Sequence, residues 1–247
     1  MTQIKQAMIL AAGKGTRMRP LTLHTPKPMI DVAGQPLISW HLLALKSAGI
    51  INITVNCSYL ADKLLDFLGD GSQYGVNIRW SVEDNEPLET AGGIANALAT
   101  GKLDNEPFIL INGDVWTTYD FSKLAQTQLD NNYLAHLLLV NNPPHNPNGD
   151  FALQDGLACA NVEEGMQKYT FAGVSVIHPQ LLSSVAHTLP TPLAPLLIKA
   201  MSSNQVTAEV INDKWVDVGT PKRLERVNQF VNNGLLRGVH KGQHLVD

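Results

Sequence analysis

A glycine-rich loop with fixed positive charge follows the first apolar run of the chain. The segment 9–30 reads ILAAGKGTRMRPLTLHTPKPMI and contains Gly13, Gly15, Arg17 and Lys27. Glycine lets backbone N–H groups approach a ligand closely, and a proline on each side of Lys27 restricts the direction of that lysine. Open amides beside a fixed cation suit a polyphosphate, and solvated basic residues on a surface loop would give the same pattern.

Two common phosphate-binding patterns do not fit this loop. A P-loop requires Gly-x-x-x-x-Gly-Lys-Ser/Thr, which the chain does not contain. A dinucleotide fingerprint requires a third glycine where the chain has Met18, and an acidic residue after the second strand, where it has Asn56 and Cys57. The sequence therefore disfavours a nicotinamide-dependent oxidoreductase.

The elements that must position this loop alternate between apolar runs and helical periods. Apolar runs suited to buried parallel strands alternate with segments of 3.6-residue periodicity, which predicts an α/β fold with a mainly parallel sheet covered on both faces. The predicted strands are 6–12, 51–56, 76–83, 107–115 and 133–141, and the predicted helices are 36–49, 58–71, 90–101 and 121–132.

The sequence changes character after residue 141. A loop dense in proline and asparagine, 141–150, precedes short predicted strands at 151–154, 169–178, 205–211 and 214–219. A closing helix is predicted over 220–234, with Thr220 as N-cap and Pro221 at its first position. We interpret 141–217 as an elaboration of a single domain, 1–235, that is followed by a C-terminal tail, 236–247.

Composition excludes several classes of protein. The formal net charge of −4 disfavours a general nucleic-acid binder. The two cysteines, Cys57 and Cys159, are far apart, and the histidines, including His145, show no zinc-ligand spacing. No signal peptide and no membrane-crossing run is visible, so we expect a cytoplasmic protein and ordinary core or surface roles for the histidines.

Several segments, in order, resemble the sugar nucleotidyltransferases. These are LAAGKGTRMRPLT with PKPM, EPLETAGGI, LINGDVW, NGDFAL, YTFAGVSVIHP and KWVDVGTPKRL, and together they span about residues 8–231. The resemblance implies a Rossmann-like three-layer sandwich with a mixed, mainly parallel sheet. It also implies an enzyme that joins a nucleoside triphosphate to a sugar 1-phosphate and releases pyrophosphate, and we expect a monomer.

The resemblance assigns chemical roles to four charged residues. Asp114 and Asp217 carry over as ligands of Mg²⁺, and each stands beside a glycine at a predicted strand end. Arg17 and Lys27 carry over as the catalytic cations that bind the triphosphate and the incoming phosphate. Taken alone, Asp114 would be explained as a turn cap and Asp217 as half of an ion pair.

The resemblance also implies two groups of substrate contacts. The nucleotide is expected to contact Ala11, Ala12, Gly13, Lys14, Gly15, Thr16, Arg17, Lys27, Glu83 and Gly92. The sugar is expected to contact Asn112, Gly149, Asp150, Glu163 and Gly173. Glu83 is a candidate acceptor for an N–H of the base, and a solvated position at a strand end is equally compatible with it.

The motifs in the middle of the chain favour one pair of substrates. They resemble most the family members that transfer UMP from UTP to N-acetylmuramate 1-phosphate in peptidoglycan recycling. They resemble less those that use mannose 1-phosphate with GTP, or glucose 1-phosphate with UTP or dTTP. The chain departs from the family at Glu89, where glycine is common, and at 163–165, where Glu-Glu-Gly replaces Glu-Lys-Pro. A non-catalytic sugar-nucleotide sensor is the competing hypothesis, but such a protein would be expected to have lost one of the four charged residues.

Overall fold

The chain folds as alternating strands and helices in a computed structural model that describes residues 3–83, 86–127, 129, 132–161 and 165–239. The strands in these ranges are β1 (Gln6–Leu10), β2 (Asp31–Val32), β3 (Gln35–Pro36), β4 (Asn52–Cys57), β5 (Asn77–Val82), β6 (Phe108–Asn112), β7 (Val115–Thr117), β8 (Ala135–Val140), β9 (Phe151–Gln154), β10 (Leu157–Cys159), β11 (Lys168–Ile177), β12 (Val206–Val210) and β13 (Trp215–Asp217). The helices are α1 (Leu37–Ser47), α2 (Ala61–Leu68), α3 (Glu89–Ala99), α4 (Phe121–Ala125), α5 (Ala194–Met201) and α6 (Pro221–Val239).

One mixed sheet organises the molecule. Its strand order is β5-β4-β1-β6-β11-β8-β12-β10-β9, and two small ribbons, β7–β13 and β2–β3, lie outside it. The strands β5, β4, β1 and β6 are parallel, whereas β11 runs antiparallel to both of its neighbours, β6 and β8. The predicted α/β fold with a mixed sheet is confirmed, and its parallel half is the half that carries the glycine loop.

The sheet is covered on both faces because side chains alternate along its central strands. In β1, Ile9 packs into a core with α1, α2 and α4, while Met8 packs into a second core with α3 and α5. In β6, Ile109 and Leu110 divide between the two cores in the same way. This division explains why the central strands are apolar at nearly every position.

A third, smaller core joins the glycine loop to the C-terminal helix. Met18 of the loop, Trp116 of β7, Val218 after β13 and Val227 of α6 are all buried in it. Burying each apolar side chain of this size stabilises the fold by about 1.5–3 kcal/mol relative to leaving it exposed. The packing therefore fixes the loop against the ribbon β7–β13.

Several element boundaries differ from the prediction. The single strand predicted over 107–115 is two strands, because the N–H of Gly113 donates to the carbonyl of Leu10 and the chain turns there. The helix predicted over 121–132 ends at Ala125, and α5, β10 and the ribbon β2–β3 were not predicted. Helix α6 continues to Val239, so the predicted tail begins within a helix, and 240–247 lie outside the described residues. The domain boundary at 235 stays a prediction.

The structure contains no helix, in the residues it describes, that is long and apolar enough to cross a membrane.

A buried histidine in α1 makes stability depend on pH. His41 is 2% exposed, its Nε2 has no hydrogen-bond partner within the described chain, and burial lowers its pKa from 6.5 to about 4. Between these values the unfolded chain binds a proton that the folded chain does not, so stability is lost as the pH falls from 6.5 to 4. The expected loss is about 3 kcal/mol.

Denaturant unfolding of the wild type and of His41→Gln at pH 7, 5.5 and 4.5 measures this effect. We expect the variant to lose less stability than the wild type over this range, because its side chain does not titrate. An NMR titration of the His41 imidazole provides a second test. A midpoint near 6.5 in the folded protein would contradict the prediction.

Candidate functional site

The glycine loop folds back on itself through Gly15. This residue has φ of 59°, and its carbonyl accepts a hydrogen bond from Oγ1 of Thr22 at 2.7 Å. A Cβ on Gly15 would lie 2.9 Å from Cγ2 of Thr22 and 3.2 Å from Cβ of Lys27. Glycine is therefore required here both for the left-handed backbone and for the close approach that brings Lys27 to the loop.

Lys27 contacts the first of the two candidate metal ligands. It begins a 3-10 turn, Lys27–Met29, between two prolines, and its Nζ lies 2.5 Å from Oδ2 of Asp114. The side chains are only 12% and 30% exposed, so this ion pair is shielded from solvent more than a surface pair. Lys27, which is predicted to bind phosphate, and Asp114, which is predicted to bind the metal, are therefore in direct contact.

The ribbon β7–β13 brings the second aspartate to the first. Asp217 is paired with Val115 in the antiparallel register, and the N–H of Val218 donates to the carbonyl of Asp114 at 2.6 Å. Gly113, immediately before Asp114, has no room for a side chain, because a Cβ there would overlap the carbonyl oxygen of Leu10. The two aspartates are therefore held together at the carboxyl ends of β1 and β6.

Asp217 lies between Arg223 and His145. Nη1 of Arg223 lies 3.1 Å from its Oδ2, and Nε2 of His145 lies 3.0 Å from its Oδ1. Burial raises the pKa of the Asp217 carboxyl above its ordinary value; Arg223 and His145 oppose that change, and the charge of Asp114 adds to it. A carboxylate pair in such surroundings gains stability from a cation placed between its members.

The donor set suits a divalent ion that prefers oxygen. Oδ1 of Asp217 is buried and accepts no hydrogen bond of good geometry from the described residues. Within those residues no group of three or more His, Cys, Asp or Glu side chains is arranged for a metal. Mg²⁺ commonly takes one or two carboxylates and completes its shell with water and phosphate oxygens. Asp114 and Asp217 therefore fit the expected ion.

The base side of the site is a buried polar network. Oδ1 of Asn56 accepts a hydrogen bond from the N–H of Ala11 at 2.8 Å, and Nδ2 of Asn56 donates to Oε1 of Glu83 at 2.6 Å. The N–H of Leu88 donates to the other carboxylate oxygen at 2.7 Å. Burial raises the pKa of Glu83, and these two hydrogen bonds oppose that rise. Each oxygen of Glu83 thus already accepts one hydrogen bond within the chain.

The first residue of α3 has a backbone conformation that glycine adopts without strain. Glu89 has φ of 57° and lines the same cavity as Glu83. A side chain in the left-handed region is strained, and such residues concentrate at binding sites.

A cavity of about 360 Å³ lies over the end of β1 and between these groups. The residues of the sequence prediction that line it are Ala11, Ala12, Gly13, Gly15, Thr16, Arg17, Lys27, Glu83, Asn112 and Asp114. Lys14 is not among the lining residues, and its Nζ lies 2.7 Å from Oε2 of Glu86. Gly92 also lies outside the lining, because its N–H donates to the carbonyl of Thr191 and a Cβ on it would lie 2.5 Å from the carbonyl oxygen of Leu189.

The predicted sugar contacts are placed around the loop 141–150. Oδ2 of Asp150 accepts from the N–H of Phe171, and Oδ1 accepts from Nδ2 of Asn146 at 3.0 Å, so Asp150 ties this loop to β11. Gly149 lies against Asn142, and Gly173 lies against Asn112 of the first cavity. Glu163 lies outside the described residues.

A second cavity of about 990 Å³ adjoins the first at the aspartate pair. It lies between the loop 141–145 and the N-terminal half of α6, and Asp217, His145 and Arg223 line it. The first cavity is lined by Asp114 and the second by Asp217, so the two aspartates lie where the cavities meet.

Three site residues were not found from the sequence. Asn56 connects β1 to Glu83, and His145 and Arg223 contact Asp217. The position of Asn56 at the end of a parallel strand was a usable signal. His145 in a proline-rich loop gave no signal, because Asp217 is distant from it in the sequence, and Arg223 gave none, because its helix has the pattern of a surface helix. The structure places His145, for which an ordinary core or surface role was expected, beside Asp217.

The arrangement suits phosphate chemistry rather than acid–base chemistry. Lys27 and Arg17 supply positive charge beside the first cavity, and the aspartate pair can hold a divalent ion where the two cavities meet. Such a site lowers the repulsion between two anions and orients them.

Comparison with known proteins supports this interpretation. An N-acetylmuramate alpha-1-phosphate uridylyltransferase of Neisseria meningitidis serogroup B is 48% identical over 89% of this chain and 95% of its own length. A mannose-1-phosphate guanyltransferase of Schizosaccharomyces pombe is 31% identical over 88% of this chain and 61% of its own length. A solved Bacillus anthracis structure, assigned as a glucose-1-phosphate thymidylyltransferase, shares the fold, with a TM-score of 0.79, 21% identity and coverage of 92% of this chain and 94% of its own.

The family model of the nucleotidyl transferases matches residues 6–164, which include the glycine loop, the Asn56–Glu83 network and Asp114. The Neisseria relative extends the similarity over most of the remaining chain. With the phosphate-binding geometry at the end of β1, these matches identify the chain as a member of the nucleotidyl transferase family.

Proposed function

We propose that this protein transfers UMP from UTP to N-acetylmuramate α-1-phosphate and releases pyrophosphate, with Mg²⁺ as cofactor. The observation that carries the transfer reaction is the convergence of Lys27, Asp114 and Asp217 where the two cavities meet. The sugar and the base rest on the similarity to the Neisseria enzyme. A cytoplasmic, monomeric enzyme of cell-wall recycling is part of the same proposal.

The reaction needs no general base. A phosphate oxygen of the sugar phosphate is already ionised at neutral pH, and it forms a bond to the α-phosphorus of UTP as the bond from that phosphorus to the bridging oxygen of pyrophosphate breaks. Lys27 and Arg17 bind phosphate oxygens and offset the charge that builds up on the leaving group. Asp114 and Asp217 hold Mg²⁺, which supplies Lewis-acid stabilisation of the phosphates when bound.

Glu83 has a positioning role in this proposal. Its carboxylate, fixed by Asn56 and by the N–H of Leu88, holds the end of β4 and the start of α3 on the base side of the cavity. Asn56 also fixes the N–H of Ala11 at the end of β1. The base therefore meets a rigid wall, which limits the entropy lost when it binds.

A substrate matrix tests the proposed specificity. N-acetylmuramate 1-phosphate, mannose 1-phosphate and glucose 1-phosphate are each combined with UTP, GTP and dTTP, and pyrophosphate release is measured with Mg²⁺ and with a chelator. We expect N-acetylmuramate 1-phosphate with UTP to have a kcat/KM at least about tenfold above every other pair, and the chelator to abolish the reaction.

The outcomes separate the parts of the proposal. A best rate with mannose 1-phosphate and GTP would overturn the assigned sugar and base but leave phosphate transfer in place. Pyrophosphate release from no pair would overturn the transfer reaction itself and favour the non-catalytic sensor.

A further inference from the structure

Arg223 is a buried cation whose hydrogen-bonding capacity is mostly unused. Its side chain is 14% exposed, and Nη1 lies 3.1 Å from Oδ2 of Asp217. Its Nε and Nη2 are buried and make no hydrogen bond with any residue that the structure describes. Leaving charged N–H groups buried and unpaired costs several times what a neutral surface contact contributes. We therefore expect these N–H donors to hydrogen-bond to a group from outside the chain.

A second guanidinium group lies beside the first. A Cβ on Gly219 would overlap Nη2 of Arg223 and would lie 3.5 Å from Nη2 of Arg17. Arg17 is exposed and makes no ion pair within the described part of the chain. Two like charges so close repel each other unless an anion lies with them.

The position of the pair identifies the kind of anion. Arg17 and Gly219 line the first cavity, and Arg223 lines the second. The two guanidinium groups therefore lie between the two cavities, where a ligand bound in one cavity would meet a ligand bound in the other. Guanidinium groups bind phosphate oxygens through paired N–H donors, which is the chemistry that Nε and Nη2 of Arg223 offer.

We propose that Arg223 is a second phosphate-binding arginine, which together with Arg17 clamps one phosphoryl group at Gly219. The clamp deepens the proposed transfer reaction and rests on it. The phosphoryl group belongs either to the pyrophosphate end of UTP or to the sugar 1-phosphate, and the two share the chemistry that the clamp recognises.

Binding in the absence of metal tests the clamp separately from the metal site. Inorganic pyrophosphate and N-acetylmuramate 1-phosphate are titrated calorimetrically into the wild type, Arg223→Lys and Arg79→Lys, at low ionic strength with a chelator. Lysine at 223 keeps a positive charge beside Asp217 but loses the paired donors. Arg79 is the matched control, because it is also paired with an aspartate, Asp104 at 2.7 Å, and lines neither cavity.

We expect Arg223→Lys to weaken binding of at least one probe by about tenfold or more, and Arg79→Lys to change binding of both probes by less than about twofold. Loss with pyrophosphate alone assigns the clamp to the leaving group, and loss with the sugar phosphate alone assigns it to the incoming group. An Arg17→Lys, Arg223→Lys double variant should lose less than the two single variants combined, because both residues hold one anion.

Three results would overturn the clamp. They are wild-type affinity for both probes in Arg223→Lys, equal losses in the control, and no binding of either probe by the wild type. If Arg223 serves only to orient Asp217, its replacement lowers the affinity for Mn²⁺ and leaves metal-free probe binding unchanged. Turnover of the wild type in the substrate matrix reports independently on the proposed function, so the two ideas fail separately.

Discussion

Replacing Asp114 by asparagine is expected to lower the turnover number by about 10³-fold, because the variant loses one of two charged ligands for the metal. The amide oxygen of asparagine can still accept a hydrogen bond from Nζ of Lys27, which lies 2.5 Å from Oδ2 in the wild type. The melting temperature should therefore change little. Pyrophosphate release at saturating substrates and Mg²⁺, with thermal unfolding in parallel, measures both quantities.

The matched control is another ion-paired aspartate. Asp104 accepts two hydrogen bonds from Arg79 at 2.7 Å and lies away from both cavities, so Asp104→Asn should keep wild-type turnover. If Asp114→Asn turned over at the wild-type rate with Mg²⁺ present, Asp114 would be the turn residue that its position beside glycine also allows.

Replacing Lys27 by methionine is expected to lower kcat by about 10²-fold or more, with a much smaller effect on stability. The lysine is 12% exposed and fixed between two prolines, so its charge is placed before substrate binds and little reorganisation is needed during reaction. Methionine retains most of the apolar stem that packs against Gly15 and Thr22. Single-turnover rates and melting temperatures separate the two effects.

Lys123→Met provides the comparison for Lys27. Its Nζ lies 5.5 Å from the centre of the Tyr119 ring, outside the site, and its loss should leave kcat unchanged. A large fall in melting temperature with unchanged kcat in Lys27→Met would show that Lys27 supports the loop rather than the reaction.

The parallel half of the fold could be predicted because its signal is local. Strands such as β1 and β6 are buried on both faces, so they are apolar at nearly every position. The break at Gly113 could not be predicted, because its cause is a hydrogen bond to Leu10, far away in sequence. Helix α5 was missed because its first turn contains Pro195, a residue that more often signals a loop.

The residues of the candidate site likewise divide into those that have a local sequence signal and those that do not. Gly15, Lys27 and Asp114 lie in segments whose composition is unusual over a few residues, and they were found. Arg223 and His145 belong to the candidate site because both contact Asp217. His145 lies far from Asp217 in the sequence, so no local pattern indicates that contact. For Glu83 and Gly92 the prediction assumed free polar groups, and the structure pairs those groups with neighbours inside the chain.

The ribbon β7–β13 has a consequence for the order in which the site forms during protein synthesis. The glycine loop, Lys27 and Asp114 all emerge from the ribosome before Asp217 and the helix that follows it. A nascent chain can therefore form the parallel strands while half of the metal site is still untranslated. Strand β7 has no ribbon partner during that interval, so a chain released before β13 would expose an unpaired strand edge and could not complete the carboxylate pair.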